Sequence, residues 1–420
     1  MYILYKIKGL VKKGEYVDVI KRNVYKLISN FTEREMQKFN SLLESHRYSE
    51  AVEVGKKMVI NKRNDSAFLK KMAFCSFYAE RYKDARNYME SCLVLNTGRN
   101  VNEIVDIVSN NIFSSLERVK SNYIYLGGHS NLGFIEHNYT DEAGISYIFI
   151  TKIVCDKNTN RINREQFFYS EICREFPQLT HVAPKAIGFS NISNNGITLL
   201  TYEKISGHKP NNSNLTEILK INNIIETISY EKAKKFIDKK LLNNDKYVAR
   251  LVHKKIINME IFSEINHVLK RTNGSEETSL LINRLKNAIF EKKLYKKLNP
   301  AIHYSFCHND FHKNNILASH DYINKSYVFD WNNYSIALKG WDMAYYFGNF
   351  EFTFNEILEK YIVTSLQYEN NEDESIARIF FVFILIYIWI HRLRGVSSKD
   401  KNSQYFRPAI EFVEELVDTL

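Results

Sequence analysis

The chain has 420 residues, of which 45% are hydrophobic and 14% aromatic, and its formal net charge is +10. This length predicts more than one domain, because a single core usually stops growing at about 250–300 residues, and the composition excludes a mainly disordered chain. A positive net charge is typical of proteins that bind nucleic acid, but the sequence has no zinc-binding spacing, glycine-arginine tail or long basic helix. Because an AT-rich genome also yields many Lys, Asn and Ile residues, we expect no nucleic-acid partner.

The cysteines and the apolar segments indicate a cytoplasmic protein. The five cysteines are scattered and never spaced as C-x-x-C, which fits reduced, packed thiols. The N-terminal apolar run is too short for a signal peptide and has no small-residue cleavage site. The most apolar segment, Ile379–Ile390, has 12 residues, whereas a membrane-spanning helix needs about 20. We therefore expect a buried core helix there and no transmembrane segment.

Residues 1–118 are predicted to form an all-α domain, because apolar residues recur three and four apart and Pro is absent. The stretches RYSEA (Arg47–Ala51) and RYKDA (Arg81–Ala85) match at an offset of 34 residues, the period of tetratricopeptide repeats. Five residues then fall at the packing positions of that repeat: Leu69, Met72, Ala73, Met89 and Cys92. The region resembles a tetratricopeptide-type helical pair, and a plain helical bundle with a chance match is the alternative.

Residues 119–207 are predicted to form a small α+β domain. Two aromatic and β-branched runs flank a Gly-rich turn, and a third run, SYIFITKIVC, carries Lys152 near its end. Helical spacing predicts a helix over Asn163–Phe176, which stops before Pro177. Two further strands, joined by an Asn-Gly turn, complete the lobe.

Residues 208–420 are predicted to form a mainly helical third domain with one polar loop. Within 208–300, 19 Lys and Arg stand against 10 Asp and Glu. The polar loop, HNDFHKNNIL from His308 to Leu317, lies between two strand-like runs, and Asp330 follows Asn315 by 15 residues.

The polar loop carries side chains that phosphoryl transfer from a nucleotide requires. An Asp orients the acceptor hydroxyl and takes its proton, while an amide and a second carboxylate hold Mg²⁺ against the phosphates. A Lys neutralises the phosphates, and an acid on a neighbouring helix holds that Lys. These roles fall to Asp310 as the catalytic residue, Asn315 and Asp330 at the metal, and Lys152 with Glu165 or Glu171 at the phosphates.

The spacing H-x-D-x-H-x-x-N, followed by an apolar strand and Asp330, resembles the aminoglycoside phosphotransferase and choline kinase-like superfamily. The resemblance covers about residues 119–420. It implies an α+β, bilobal protein-kinase-like fold, preceded here by the all-α helical-repeat-like domain, with ATP and Mg²⁺ as cofactors. His312 favours a small-molecule kinase, because protein kinases usually carry Lys at that place. Asp342 matches a family Asp that is usually structural, and His308 is expected to bond to backbone.

The same resemblance implies where the nucleotide binds. LGGHSNLGF is similar to the family's phosphate-covering turn, in which Ser130 and Asn131 would contact phosphate. The base is expected between the lobes, against Thr201–Ile205, with Tyr202 and Ile205 as contacts. Glu165 is favoured over Glu171 as the partner of Lys152, and the choice between ATP and GTP stays open.

The charge of residues 208–300 bears on the acceptor. Family members that bind cationic antibiotics need acidic substrate lobes, whereas this segment is basic. We therefore expect a neutral or anionic small molecule, such as a sugar or glycan precursor, rather than an aminoglycoside or choline. The aromatic residues that follow Asp330 are expected to pack in the core rather than to form a cage for a quaternary ammonium group: Trp331, Tyr334, Trp341, Tyr345 and Tyr346.

Two other functions remain open. One is a protein kinase that docks its target through residues 1–118, and the other is a kinase-like scaffold, against which the complete set of Asp310, Asn315 and Asp330 argues. If the helical residues dock a partner, their removal leaves nucleotide hydrolysis in place. If they cover an apolar face of the kinase domain, their removal causes aggregation.

Overall fold

A computed structural model of the chain describes residues 32–128, 131–155, 164–192, 196–241, 260–271, 275–322, 325–393 and 401–420. The chain divides into two compact units. The first unit comprises Met1–Asn163 and Ala186–Lys204, and the second comprises Arg164–Lys185 and Ile205–Leu420. The limits of these units differ from the domain boundaries placed at residues 118 and 207, which stay a prediction.

Helices fill the start of the first unit. Their bounds are 32–44 (α1), Tyr48–Lys62 (α2), Ser66–Tyr78 (α3), Tyr82–Thr97 (α4) and Val101–Ile112 (α5). Side chains define several of the ends. Asp65 accepts the N–H of Phe68 at the start of α3, and Asn100 and Glu103 form a capping box at the start of α5. Gly98 ends α4 with a φ of 66°, a left-handed conformation that glycine adopts without strain.

The two matching stretches lie at equivalent turns between helices. Arg47 and Arg81 are the N-caps of α2 and α4, and each follows a residue with positive φ, His46 at 59° and Glu80 at 61°. The backbone N–H of each Arg donates to the carbonyl five residues earlier, at 2.9 and 2.8 Å. The sequence match is thus also a match in backbone geometry between two helical hairpins. The tetratricopeptide assignment itself stays a prediction.

A five-stranded antiparallel sheet completes the first unit, in the order β1-β2-β3-β5-β4. Its strands are Glu117–Ile124 (β1), Asn131–Thr140 (β2), Ser146–Cys155 (β3), Ala186–Ile192 (β4) and Ile197–Glu203 (β5). Helices and sheet share one hydrophobic core, in which Leu69 of α3, Met89 of α4 and Val108 of α5 pack with Ile135 and Ile153 of the sheet. The five predicted packing residues of the helical region are all buried.

The second unit is mainly helical. Its first helix, α6, runs through Arg164–Phe167, a π-helical turn over Phe168–Ile172, and Cys173–Glu175. The next helices are Leu215–Glu226 (α7), Tyr230–Leu241 (α8), Glu260–Arg271 (α9), Glu276–Glu291 (α10) and Pro300–His303 (α11). The last four are Trp341–Phe347 (α12), Phe354–Ile357 continued by Leu358–Ile362 and Val363–Ser365 (α13), Asn371–Arg392 (α14), and Asn402–Phe406 continued by Arg407–Asp418 (α15).

Two small sheets accompany these helices. One pairs Tyr304–Cys307 (β7) with Ser335–Leu338 (β10), and the other joins Gly207–His208 (β6), Ile316–Ser319 (β8) and Ser326–Val328 (β9) in the order β6-β8-β9. Both sheets are antiparallel. They hold the polar loop, because that loop connects β7 to β8.

Helix α14 is the central helix of the second core. Every residue of Ile379–Ile390 except Tyr387 is buried, which confirms the predicted core helix. Among the described residues, α14 is the one helix whose length and composition would allow it to cross a membrane, and 72% of its most apolar window is buried inside the protein. Four of the five cysteines are buried free thiols, and Cys155 is half-buried.

The predicted fold class is confirmed in the described residues. Helices come first, an antiparallel sheet follows, and a mainly helical part with the polar loop ends the chain. The predicted helix over Asn163–Phe176 corresponds to α6, and the run SYIFITKIVC is β3.

Candidate active site

The polar loop begins directly after β7 and is anchored by a buried carboxylate. Asp342 of α12 accepts the backbone N–H groups of His308 and Asn309, at 2.7 and 2.8 Å. Asn309 has a φ of 65°, a left-handed conformation that asparagine adopts more readily than most other non-glycine residues. Burial raises the pKa of Asp342 to about 7. The carboxyl group thus fixes the loop backbone, which is the structural role that the sequence resemblance implies.

Asp310 and Asn315 lie together in this loop. The Asn315 Nδ2 atom donates to the Asp310 carbonyl at 3.0 Å and to the Asp310 Oδ2 atom at 3.1 Å. His312 Nε2 lies 3.4 Å from the other carboxylate oxygen, Oδ1. Because both side chains are partly exposed, the carboxylate is oriented by its neighbours and still reached by solvent.

His308 serves the backbone of the loop. Its Nε2 atom lies 2.8 Å from the carbonyl of Phe329, and its Nδ1 atom accepts the N–H of Asp310 at 3.3 Å. Burial lowers the pKa of His308 to about 4, so the ring is neutral at pH 7 with its proton on Nε2. A neutral ring with both nitrogens used in this way does not act as the base.

Asp330 follows β9 and lies beside Asn315. The N–H of Phe329 donates to the Asn315 carbonyl at 2.8 Å, which brings the end of the strand to the loop. Asp330 has a φ of 62°, and its Oδ1 atom accepts from Asn332 at 2.7 Å. The Asp310 and Asp330 carboxylates both raise the pKa of His308, against the larger effect of burial. The second unit therefore brings Asp310, Asn315 and Asp330 together.

Aromatic stacking joins α6 to the segment after Asp330. The ring of Trp331 lies 4.0 Å from that of Phe168 at an interplanar angle of 9°, and 4.6 Å edge-on from that of His308. Arg164 donates to the carbonyl of Tyr334 and lies 4.6 Å above its ring. Trp331, Tyr334, Trp341 and Tyr346 are buried, so the prediction of aromatic core packing is confirmed for them.

The two candidate acids of α6 differ in their surroundings. The side chain of Glu165 is buried, at 2% exposure, whereas Glu171 forms an ion pair of 2.6 Å with Arg174 near the surface. Burial raises the pKa of the Tyr169 hydroxyl, and the Glu165 and Asp330 carboxylates add to the rise. Sequence reasoning did not single out Tyr169, which lies in the π-helical turn at Phe168–Ile172.

The predicted nucleotide residues lie in both units. Lys152, Asn131 and Tyr202 belong to the first unit, and all three are buried. Lys152 lies on β3, with Phe134 of β2 and Leu200 of β5 as its register partners. Ile205 belongs to the second unit and is half-buried. Ser130 lies outside the described residues.

Among the side chains that the structure describes, no group of three or more His, Cys, Asp or Glu is arranged to hold a metal ion. The predicted metal residues are one amide and one carboxylate. Because Nδ2 of Asn315 donates to Asp310, its Oδ1 atom is the one that would serve as a ligand. Amide and carboxylate oxygens suit Mg²⁺, which usually takes only one or two carboxylates from the protein and fills its other positions with water and phosphate. These residues therefore fit the implied ion.

Comparison with known proteins finds likeness in structure only. No protein-family model and no curated protein matches the sequence. A spectinomycin phosphotransferase, APH(9)-Ia, solved with ADP and spectinomycin, is 14% identical, with a TM-score of 0.43 over 76% of this chain and 96% of that chain. The choline kinase LicA from Streptococcus pneumoniae is 18% identical, with a TM-score of 0.38 over 74% of this chain and 99% of that chain.

A third solved structure is a microcompartment-associated aminopropanol kinase. It is 11% identical, with a TM-score of 0.43 over 74% of this chain and 95% of that chain. The choline kinase carries a name of the family that the polar loop resembles.

Proposed function

We propose that the protein is a kinase that transfers the terminal phosphoryl group of ATP to a hydroxyl group of a small molecule. The observation that carries this proposal is that Asp310 and Asn315, in the loop whose backbone Asp342 anchors, lie near Asp330, which follows β9. A base, an amide ligand and a carboxylate ligand at one place are what in-line phosphoryl transfer requires of a protein.

In the proposed reaction, the acceptor oxygen forms a bond to the γ-phosphorus while the bond from that phosphorus to the β–γ bridging oxygen breaks. ADP leaves with the electron pair, and the acceptor proton passes to the Asp310 carboxylate. The hydrogen bond from Asn315 and the contact with His312 orient that carboxylate. Such positioned proton transfer contributes about 10²–10⁴-fold to a rate.

Asn315 and Asp330 would hold Mg²⁺, which neutralises charge on the phosphates. Lys152 would neutralise the α and β phosphates, and its burial on a central strand supports this role over that of a solvated surface lysine. Glu165 remains the proposed acid that holds Lys152. Asn131, Ser130, Tyr202 and Ile205 remain the proposed nucleotide contacts.

For the acceptor, we propose a neutral or anionic molecule such as a sugar or glycan precursor. The support is the excess of basic residues within 208–300, which disfavours polycations. A protein acceptor docked on the helical region is the second candidate, supported by the two equivalent helical hairpins, since stacked hairpins present binding surfaces. A cytoplasmic location, inferred from the scattered spacing of the cysteines, belongs to the same proposal.

The test is ATP turnover against a panel of sugars, choline, aminoglycosides and proteins, with product identified by radiolabel. Asp310→Asn should lower kcat by about 10²-fold or more while the Kd for ATP changes little, because the carboxylate acts on the acceptor. Asp321→Asn is the control, because Asp321 is an exposed acid in the turn after β8. Wild-type protein that transfers no label to any acceptor, or Asp310→Asn within tenfold of wild type, would contradict the proposal.

A further inference from the structure

The Gly-rich turn before β2 is covered by a side chain from the helical region. A Cβ atom placed on Gly127 would lie 2.5 Å from Cδ1 and 2.8 Å from Cε1 of Phe77, so the ring lies directly against the turn's backbone. Phe77 is the next-to-last residue of α3. Gly127 has a φ of 77°, which side-chain-bearing residues rarely adopt. The position thus requires glycine for its conformation and for its contact with Phe77.

Phe77 is itself held by a set of aromatic rings in the first unit. Tyr82 of α4 and Tyr125 at the start of the turn meet it edge-on, at centroid distances of 5.4 and 5.8 Å. The hydroxyl group of Tyr125 donates to the Gly128 carbonyl at 3.3 Å. Aromatic pairs of this geometry contribute more than their buried area. The ring therefore connects α3, α4 and the turn as one packed group.

The other side of the turn is fixed by residues of the sheet. A Cβ atom on Gly128 would lie 2.7 Å from Nδ2 of Asn131, and Oδ1 of Asn131 accepts the N–H of Gly133 at 3.0 Å. Tyr123 donates to the carbonyl of Leu132. Phe77 thus holds the backbone at Gly127 from the helical side, while Asn131 holds the strand side.

We propose that Phe77 is a positioning residue for nucleotide binding, through which the helical region sets the conformation of the Gly-rich turn. The proposal rests on the proposed function, in which this turn covers the phosphates of ATP. Backbone at Gly127 and Gly128 that is already fixed by these contacts loses little freedom when the phosphates bind. Helix α3 is then part of the nucleotide site, although it touches no reacting atom.

The test compares Phe77→Leu with Phe74→Leu in the full-length protein. Phe74 lies one helical turn earlier on α3, is buried, and packs against the rings of Tyr48 and Tyr78 at centroid distances of 5.8 and 4.6 Å. We expect Phe77→Leu to raise the KM for Mg-ATP about three- to tenfold, with little change in kcat or in the KM for the acceptor. Phe74→Leu should lower the Tm by a similar amount and leave the KM for Mg-ATP near that of wild type.

A double-mutant cycle with Gly127→Ala gives a second readout. The added methyl group collides with the ring of Phe77, and the smaller Leu relieves that collision. Gly127→Ala should therefore raise the KM for Mg-ATP by a smaller factor in the Phe77→Leu background than in wild type. If the two factors are equal, the residues act independently and the proposal is wrong.

The outcomes also separate this proposal from the proposed function. Wild-type protein that neither binds nor turns over ATP contradicts the kinase assignment itself. Active wild-type protein in which Phe77→Leu and Phe74→Leu have the same KM for Mg-ATP contradicts only the positioning role. If Phe77→Leu lowers the Tm without changing the KM for Mg-ATP, the contact is purely structural, and this outcome also contradicts the positioning role.

Discussion

Removal of residues 1–118 should unfold the sheet of the first unit, because helices and sheet share a core. Among the described residues, ten buried side chains of the helical region pack with ten of the sheet region. The helical ones are Leu69, Ala73, Ala85, Met89, Cys92, Leu93, Ile104, Val105, Val108 and Phe113. The sheet ones are Tyr123, Tyr125, Leu132, Ile135, Tyr139, Phe149, Ile153, Ile192, Ile197 and Leu199.

The size of the effect follows from these side chains. Full burial of a large apolar side chain stabilises a protein by about 1.5–3 kcal/mol, so loss of half the burial of ten of them costs on the order of 10 kcal/mol. The whole free energy of unfolding of a domain is about 5–15 kcal/mol. The sheet therefore cannot persist alone, and the structure favours the covering role over independent docking for α3–α5.

The assay compares three chains: full length, 65–420 and 119–420. The chain from residue 65 loses α1 and α2 but keeps the shared core, and it uncovers mainly Phe68, Met72 and Cys75 of a separate cluster. We expect it to fold with a lower Tm, measured by circular dichroism, and to bind ATP. The chain from residue 119 should aggregate or melt without cooperativity. A monomeric 119–420 chain that melts within a few degrees of full length and hydrolyses ATP normally would refute the reasoning.

Three further predictions concern the second unit. Asp330→Asn should weaken Mg-ATP binding as well as lower kcat, because it removes a charged oxygen from the metal; calorimetry that finds the same Kd as for Asp310→Asn contradicts the separation of roles. Burial raises the pKa of Asp342 from 3.8 to about 7. Between these two values the folded protein keeps a proton that the unfolded chain releases. The free energy of unfolding should therefore fall by up to about 4 kcal/mol as pH rises from about 4 to 7. Asp342→Asn should remove this part of the slope in denaturant titrations, and parallel curves for the two proteins would show the assignment to be wrong. Gly340→Ala should lower the free energy of unfolding by about 1–3 kcal/mol, because Gly340 has a φ of 83° and an added Cβ atom would lie 2.7 Å from the Phe381 ring. An unchanged midpoint of urea unfolding would contradict this prediction.

The sequence was most informative where residues that act together are also neighbours in the chain. The spacing from His308 to Asn315 identified the polar loop because its polar residues are neighbours in the chain. The strand that carries Lys152 was recognisable from its β-branched and aromatic residues. The repeat of RYSEA and RYKDA predicted equivalent helical turns because the same local residues form both.

Contacts between distant residues could not be read in this way. Phe77 and Gly127 are 50 positions apart, and nothing in the motif around Gly127 points to Phe77. The shared core was hidden for the same reason, since helical spacing shows which face is apolar and not what covers it. The π-helical turn at Phe168–Ile172, which directs Phe168 towards Trp331, has no sequence signal that we can identify.

The chain enters the first unit twice, and this matters during synthesis on the ribosome. Strand β5 lies between β3 and β4 in the sheet, yet the segment Arg164–Lys185 of the second unit is made before either β4 or β5. Until residues 197–203 emerge, β3 has one edge without its partner, and an unpaired strand edge is a template for pairing with another chain. A nascent chain that stalls between Cys155 and Ile197 is therefore the form of this protein most exposed to misassembly.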